Sequence, residues 1–149
     1  MNQERLDQLT SGFLISAGQI AYVESAFETA AILESFTDFF RYAIRGGCQE
    51  TLSNELDIFK KYILFQQVRY NNRIEVEWDD NVLYQSIFIR SMSVIDYFDF
   101  LVEKLTGDTI PPIKAVLSLR YLDDNLTLCI EFLLNHHKTS TYTKCLDMS

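Results

Sequence analysis

The sequence predicts an α+β fold, with helices first and most of the strands later. Three observations carry this. Apolar residues recur at three- and four-residue steps through the first half of the chain; the period drops to two at Ile74, Val76 and Trp78; and two alternating runs, Ile113–Tyr121 and Leu126–Phe132, flank an Asp123-Asp124-Asn125 turn. The first pattern is one face of a helix, and the other two are strands with a buried and a solvated side.

Taken in order, residues 3–22 are a helix candidate, with Leu6, Leu9, Phe13, Ala17 and Ile20 on one stripe. Gly12 and Gly18 lie inside it, each costing about 1 kcal/mol relative to alanine. Ser25-x-x-Glu28 has capping-box spacing, so a second helix starts there and runs to about Arg45, although Val23 and Ala26 would also let the two run on as one. Ala30, Leu33, Phe36, Phe40 and Ile44 form its stripe, widened by Ala31, Ile32, Phe39 and Ala43, which is more than one neighbour can cover. Gly46-Gly47 stops this helix behind the positive charge of Arg41 and Arg45. Thr51 or Ser53 then caps a third helix, with Asn54, Glu55 and Asp57 in its first turn and Leu52, Leu56, Phe59, Ile63, Gln66 and Tyr70 on one face. Asn71-Asn72 breaks it before the strand at 73–78. After the Asp79-Asp80-Asn81 turn, residues 82–105 read as a helix with Ile87, Ser91, Val94, Phe98, Leu101 and Leu105 aligned and Ile95 and Val102 beside them. Gly107 closes it, Pro111-Pro112 enforce an extended link, and the hairpin follows. From Asn135 the residues lose periodicity and read as a mobile tail.

At 149 residues, 48% hydrophobic and 23% charged, the chain has the size and composition of one globular domain or a helical module with a small α/β one. The longest apolar runs fall short of a membrane span, and MNQERLDQL lacks the basic start of a signal peptide. A net charge of −8 argues against nucleic acid or an anionic membrane surface as partner. Cys48, Cys129 and Cys145 are odd in number without metal spacing, which fits reduced thiols and a cytoplasmic location. The adjacent His136 and His137 lack the helical or strand spacing of a ligand pair, so no metal site is expected. Glu75, Glu77 and Asp79 share one face of their strand, as a carboxylate pair would, but polar-out alternation predicts that face unaided, with Asp80 beyond it. Ser11, Ser16 and Ser53 have no base within sequence reach. The run Phe36, Phe39 and Phe40 reads as core.

One stretch resembles a known family. Phe40-Arg41-Tyr42, then Thr51-Leu52-x-x-Glu55-Leu56, then Tyr62-x-x-x-Gln66-x-x-Arg69-Tyr70 and Asn72-Arg73-Ile74 are similar to the internal region of LytS/YesM-type sensor histidine kinases, where a helix bundle joins an ATP-binding domain of the GHKL type. The resemblance is close over residues 37–78 and looser over 9–135. It implies a dimerising helical bundle over 1–72, akin to a histidine-phosphotransfer unit. It further implies a truncated ATPase-like α/β module over 73–135, before a flexible tail at 136–149. It also implies an interaction surface drawn from Phe13, Phe36, Phe40, Arg41, Tyr42, Phe59, Tyr62, Gln66 and Arg69.

The same resemblance says where the chemistry should be. The family's Asn-Pro-His-Phe-Leu-Phe-Asn aligns with Thr10-Ser11-Gly12-Phe13-Leu14-Ile15-Ser16, placing Gly12 at the phosphoacceptor histidine, and the first histidine in the chain is His136. The family's Leu-Gln-Pro-Leu-Val-Glu-Asn-Ala falls near Met92-Ser93-Val94-Ile95-Asp96-Tyr97-Phe98-Asp99, so Tyr97 and Phe98 replace the acid and the magnesium-holding amide. Asp96 and Asp99 could be shifted ligands, although a solvated helix face suits them better. The adenine-reading Asp-Asn-Gly falls on Leu134-Asn135-His136, and no glycine-rich lid follows.

The expectation is therefore a cytoplasmic, catalytically inactive kinase-like protein without cofactor. It would act by protein–protein contact with a sensor kinase or a response regulator, as a homodimer through its N-terminal helices. Two alternatives stand beside it. One is a histidine phosphotransferase, or a fragment of an active kinase, using His136 or His137. The other is a small-ligand sensor using a cavity left by a lost nucleotide site.

Overall fold

The computed structural model describes residues 5–6, 8–10, 12–13, 16–17, 20, 26–45, 49–78, 86–106, 112–122, 125–134 and 137–146. Those between 5 and 20 are helical. They are followed by α1 (Ala26–Arg45), β1 (Gln49–Thr51), α2 (Leu52–Arg69), β2 (Ile74–Trp78), β3 (Phe88–Arg90), α3 (Ser93–Thr106), β4 (Ile113–Leu122), β5 (Asn125–Leu134) and β6 (His137–Cys145). The expected fold class holds at the level of helices first and a mixed sheet after. No helix among the described residues is long and apolar enough to cross a membrane. Gly46-Gly47, Asp79-Asp80 and His136 lie outside the described residues.

Helix α2 shows how local chemistry sets an element. Thr51 sits in extended conformation (φ −71°, ψ 143°), and its hydroxyl accepts from the Asn54 N–H at 3.3 Å, so Thr51 rather than Ser53 is the cap. At the other end Asn71 (φ 51°) and Asn72 (φ 58°) both take left-handed conformations that asparagine tolerates, which turns the chain into β2.

The helices are joined by aromatic packing. Phe13 stacks on Phe36 at 4.2 Å between centroids and meets Phe65 edge-on, while Phe39 packs on Tyr62 and Phe65. The sheet has the order β2-β4-β5-β6, with β2 parallel to β4 and the other pairs antiparallel. A parallel pair needs a crossover, and β3 and α3 supply it. Register aligns Val76 with Ala115 and Phe132, and Trp78 with Leu117 and Ile130, giving one apolar face that α2 and α3 cover. Phe59 of α2 and Phe98 of α3 meet at 5.2 Å above it, and Phe98 lies 6.1 Å from Phe132.

Two expectations are corrected. Residues 82–105 are not one helix: α3 begins at Ser93, and Phe88–Arg90 form β3, paired antiparallel with β1. Ile89 is fully buried between exposed Phe88 and Arg90, so the local period is two. Met92 (φ 66°) then turns the backbone before α3. The second correction concerns the tail. Residues 137–145 are β6, paired along β5 with a register shift at Phe132/Leu133, and Leu146 is buried behind it. The run Thr139-Ser140-Thr141-Tyr142-Thr143 is polar but suited to strands, and only a partner as long as β5 makes that visible.

Candidate functional site: a buried polar seam among the helices

Of the residues that carry the family resemblance, Tyr42, Glu55, Tyr62 and Gln66 converge on one seam. Glu55 projects from the first turn of α2 into the core, where it is fully buried. Its carboxylate accepts from the N–H groups of Met92 (2.8 Å), Val94 (3.0 Å) and Ile95 (3.4 Å), and from the Tyr42 hydroxyl on α1. A negative group at the start of α3 meets both the unpaired amides and the positive end of the helix dipole. Burial raises the Glu55 pKa, and the hydrogen bonds from Tyr42 and the three amides oppose that rise. Tyr42 is itself pushed up, by burial first and by the neighbouring carboxylate second. Three elements are thus tied at one side chain.

A second knot lies one and two helical turns along. Asp99 of α3 is 6% exposed and takes the Arg5 guanidinium in a bidentate pair, Nε–Oδ2 at 2.5 Å and Nη2–Oδ1 at 2.7 Å. The Tyr62 hydroxyl donates to the same carboxylate and accepts from Gln66 Nε2 at 2.7 Å. Burial works against the charge on Arg5, but Asp99 outweighs it and holds the guanidinium firmly protonated. Tyr62 is raised well above an ordinary phenol by burial and then by the Asp99 charge. The expectation that Asp99 lies on a solvated face is corrected here. It sits four residues after Ile95 and three before Val102, both buried, so the periodicity that placed those two also places Asp99 inside. Arg5 was not singled out by any sequence pattern.

The third point is Gly12. A β-carbon there would stand 3.0 Å from Arg69 Nε and 3.4 Å from its Cδ, so Arg69 lies across the position. Arg69 also covers the Tyr70 ring at 4.9 Å. Its Nη1 is buried without a hydrogen-bond partner among the described residues, as is Gln66 Oε1.

Of the residues proposed as an interaction surface, Phe13, Tyr42, Phe59, Tyr62 and Gln66 are buried within the chain, Phe36, Phe40 and Arg69 half-buried, and Arg41 exposed. Phe98 is core, and the Tyr97 hydroxyl donates to the Thr143 carbonyl of β6 at 3.0 Å under the Lys144 ammonium. Leu134 ends β5 opposite Ile113, and His137 opens β6. Among the described residues no group of three histidine, cysteine or acidic side chains is arranged to hold a metal. The seam joins carboxylates to donors that already satisfy them, an arrangement that fixes the helices against one another.

Comparison with known proteins follows the same stretch. No curated protein sequence matches the chain. The family model described as Histidine kinase matches residues 13–74, from Phe13, the residue after Gly12, to the first residue of β2. Residues 13–74 of this chain are a histidine-kinase-family region.

Proposed function

We propose that this chain is a catalytically inactive relative of the LytS/YesM-type sensor kinases, acting by protein–protein contact in a two-component pathway. Its helices pair or dock with a kinase subunit or a response regulator, and its sheet with α3 is a relative of the GHKL ATP-binding domain. The observation that carries this reading is Gly12. It immediately precedes the family match and stands where the resemblance puts the phosphoacceptor, with the Arg69 guanidinium across it. Glycine offers no nucleophile, and phosphoryl transfer through a helix needs an imidazole on it. The positions aligned with the nucleotide site support the same reading, since Tyr97 and Phe98 are engaged with β6 and the core. A dead subunit acts on a partner only by binding one of its states more tightly.

The test is incubation with γ-labelled ATP and magnesium, alone and with sensor kinases and receivers of the source cell. The expected result is no label on this chain, and a complex with one partner by co-sedimentation. Acid-labile phosphate on this chain, abolished by replacing His136 and His137, would favour the phosphotransferase alternative. A second reading has one observation behind it. An open cavity of about 580 Å³ lies between the N-terminal helical residues, α1 and α2, lined by Ile20, Ile32, Leu64, Gln67, Val68 and Asn71, and a small-ligand sensor would use it.

A further inference from the structure

Strand β2 is the end strand of its sheet, and its backbone polarity can be read directly. The Arg73 carbonyl accepts from the Ile113 N–H at 2.7 Å and so faces β4. One residue on, the Ile74 carbonyl accepts from Gln67 Nε2 at 3.2 Å, away from β4. Backbone groups alternate along a strand, so Val76 and Trp78 also turn theirs outward. Among the described residues no strand pairs with that side, which leaves a short template for strand addition.

Beside this edge lies a cavity of about 200 Å³ between α2 and β2, lined by Leu56, Phe59, Ile63, Val76, Trp78 and Lys60. The Lys60 ammonium lies 3.7 Å from Asp57, which leaves its aliphatic stem to the groove. On the other face of β2, Glu75 and Glu77 are exposed, with Lys114 paired to Glu77. Two copies joined antiparallel along β2 would set these glutamates against each other on chains of net charge −8. Like charges across a strand pair oppose that assembly, so the occupant has to bring cations.

We propose that the outer edge of β2 and its groove bind an extended segment of a partner protein in which lysine or arginine alternates with aliphatic or aromatic residues. The segment adds as a strand, sets its apolar side chains between Phe59 and Trp78, and its cations beside Glu75 and Glu77. The surface belongs to α2 and β2 alone and stands whether or not the signalling role does.

Trp78 is the only tryptophan in the chain and lines the groove, so its fluorescence reads occupancy. The probe is a short synthetic peptide of alternating lysine and valine, with its glutamate-for-lysine counterpart as control. The lysine peptide is expected to shift Trp78 emission to the blue in a saturable way, and the counterpart to leave it unchanged. Glu75→Lys with Glu77→Lys turns attraction into repulsion and weakens binding about tenfold or more. Val76→Pro removes an outward N–H at an edge position that accepts proline, and abolishes the shift. Should that variant fail to fold by circular dichroism, hydrogen-exchange protection of the Val76 amide on adding peptide to the unaltered protein reads the same bond. The proposal is overturned by an unshifted Trp78, by equal binding of the two peptides, or by indifference to the glutamate changes. It is equally overturned by a blue shift that grows with protein concentration alone, accompanies a dimeric mass and is not displaced by peptide.

Discussion

Glu55 is the side chain whose loss the structure makes most costly. In Glu55→Ala, three amides at the start of α3 and the Tyr42 hydroxyl lose their acceptor at a site closed to solvent. A lost cap costs about 0.5–2 kcal/mol, and each buried donor left unsatisfied about 1–3 kcal/mol. Removing a buried carboxylate also relieves its desolvation, so the sum is partly offset and a net loss of about 3 kcal/mol is expected. Tyr42→Phe removes one donor and leaves the amides served, for a loss of about 1 kcal/mol. Because both act on one carboxylate, the double variant should lose less than the two single losses added, by about 1 kcal/mol. Urea unfolding followed by circular dichroism measures all three. A Glu55→Ala loss below about 0.5 kcal/mol, or strict additivity with Tyr42→Phe, would refute the claim that this carboxylate clamps α1 and α3 to α2.

The same residue gives a pH signature. Its pKa is raised above the ordinary 4.5 by burial, so the folded state holds its proton more tightly than the unfolded chain does. The Glu55 contribution is therefore most favourable below pH 4.5 and declines as pH rises through the folded value; Glu55→Gln should remove that decline from the stability profile just above pH 4.5. Asp99→Ala takes the buried carboxylate from the Arg5 guanidinium and the Tyr62 hydroxyl and leaves Arg5 its exposed partner Glu103, with an expected loss of about 3 kcal/mol by urea unfolding, against under about 1 kcal/mol for replacing Glu103 itself. Gly12→Ala removes glycine's helix penalty and displaces only the end of the flexible Arg69 chain, so a gain of up to about 1 kcal/mol is expected, and a loss would mean that Arg69 cannot yield.

Periodicity made α1, α2, β2 and the β4–β5 hairpin legible, because each is written in neighbours three, four or two residues apart. The glycine at position 12 was equally plain. The seam was only half legible. Tyr42, Glu55, Tyr62, Gln66 and Arg69 stood out through the resemblance, but nothing in their spacing shows that Glu55 serves α3 rather than its own helix. Asp99 read as a solvated acid because burial of a carboxylate depends on its donors, and Arg5 lies 94 residues away in the chain.

The chain's own order of residues determined which segments coil, which extend, and that no imidazole precedes the sheet. Tertiary structure alone decided that 88–90 and 137–145 become strands and that two carboxylates sit inside. The reason is physical: a strand is stabilised by hydrogen bonds to a partner distant in sequence, and a buried charge by donors that only folding brings to it.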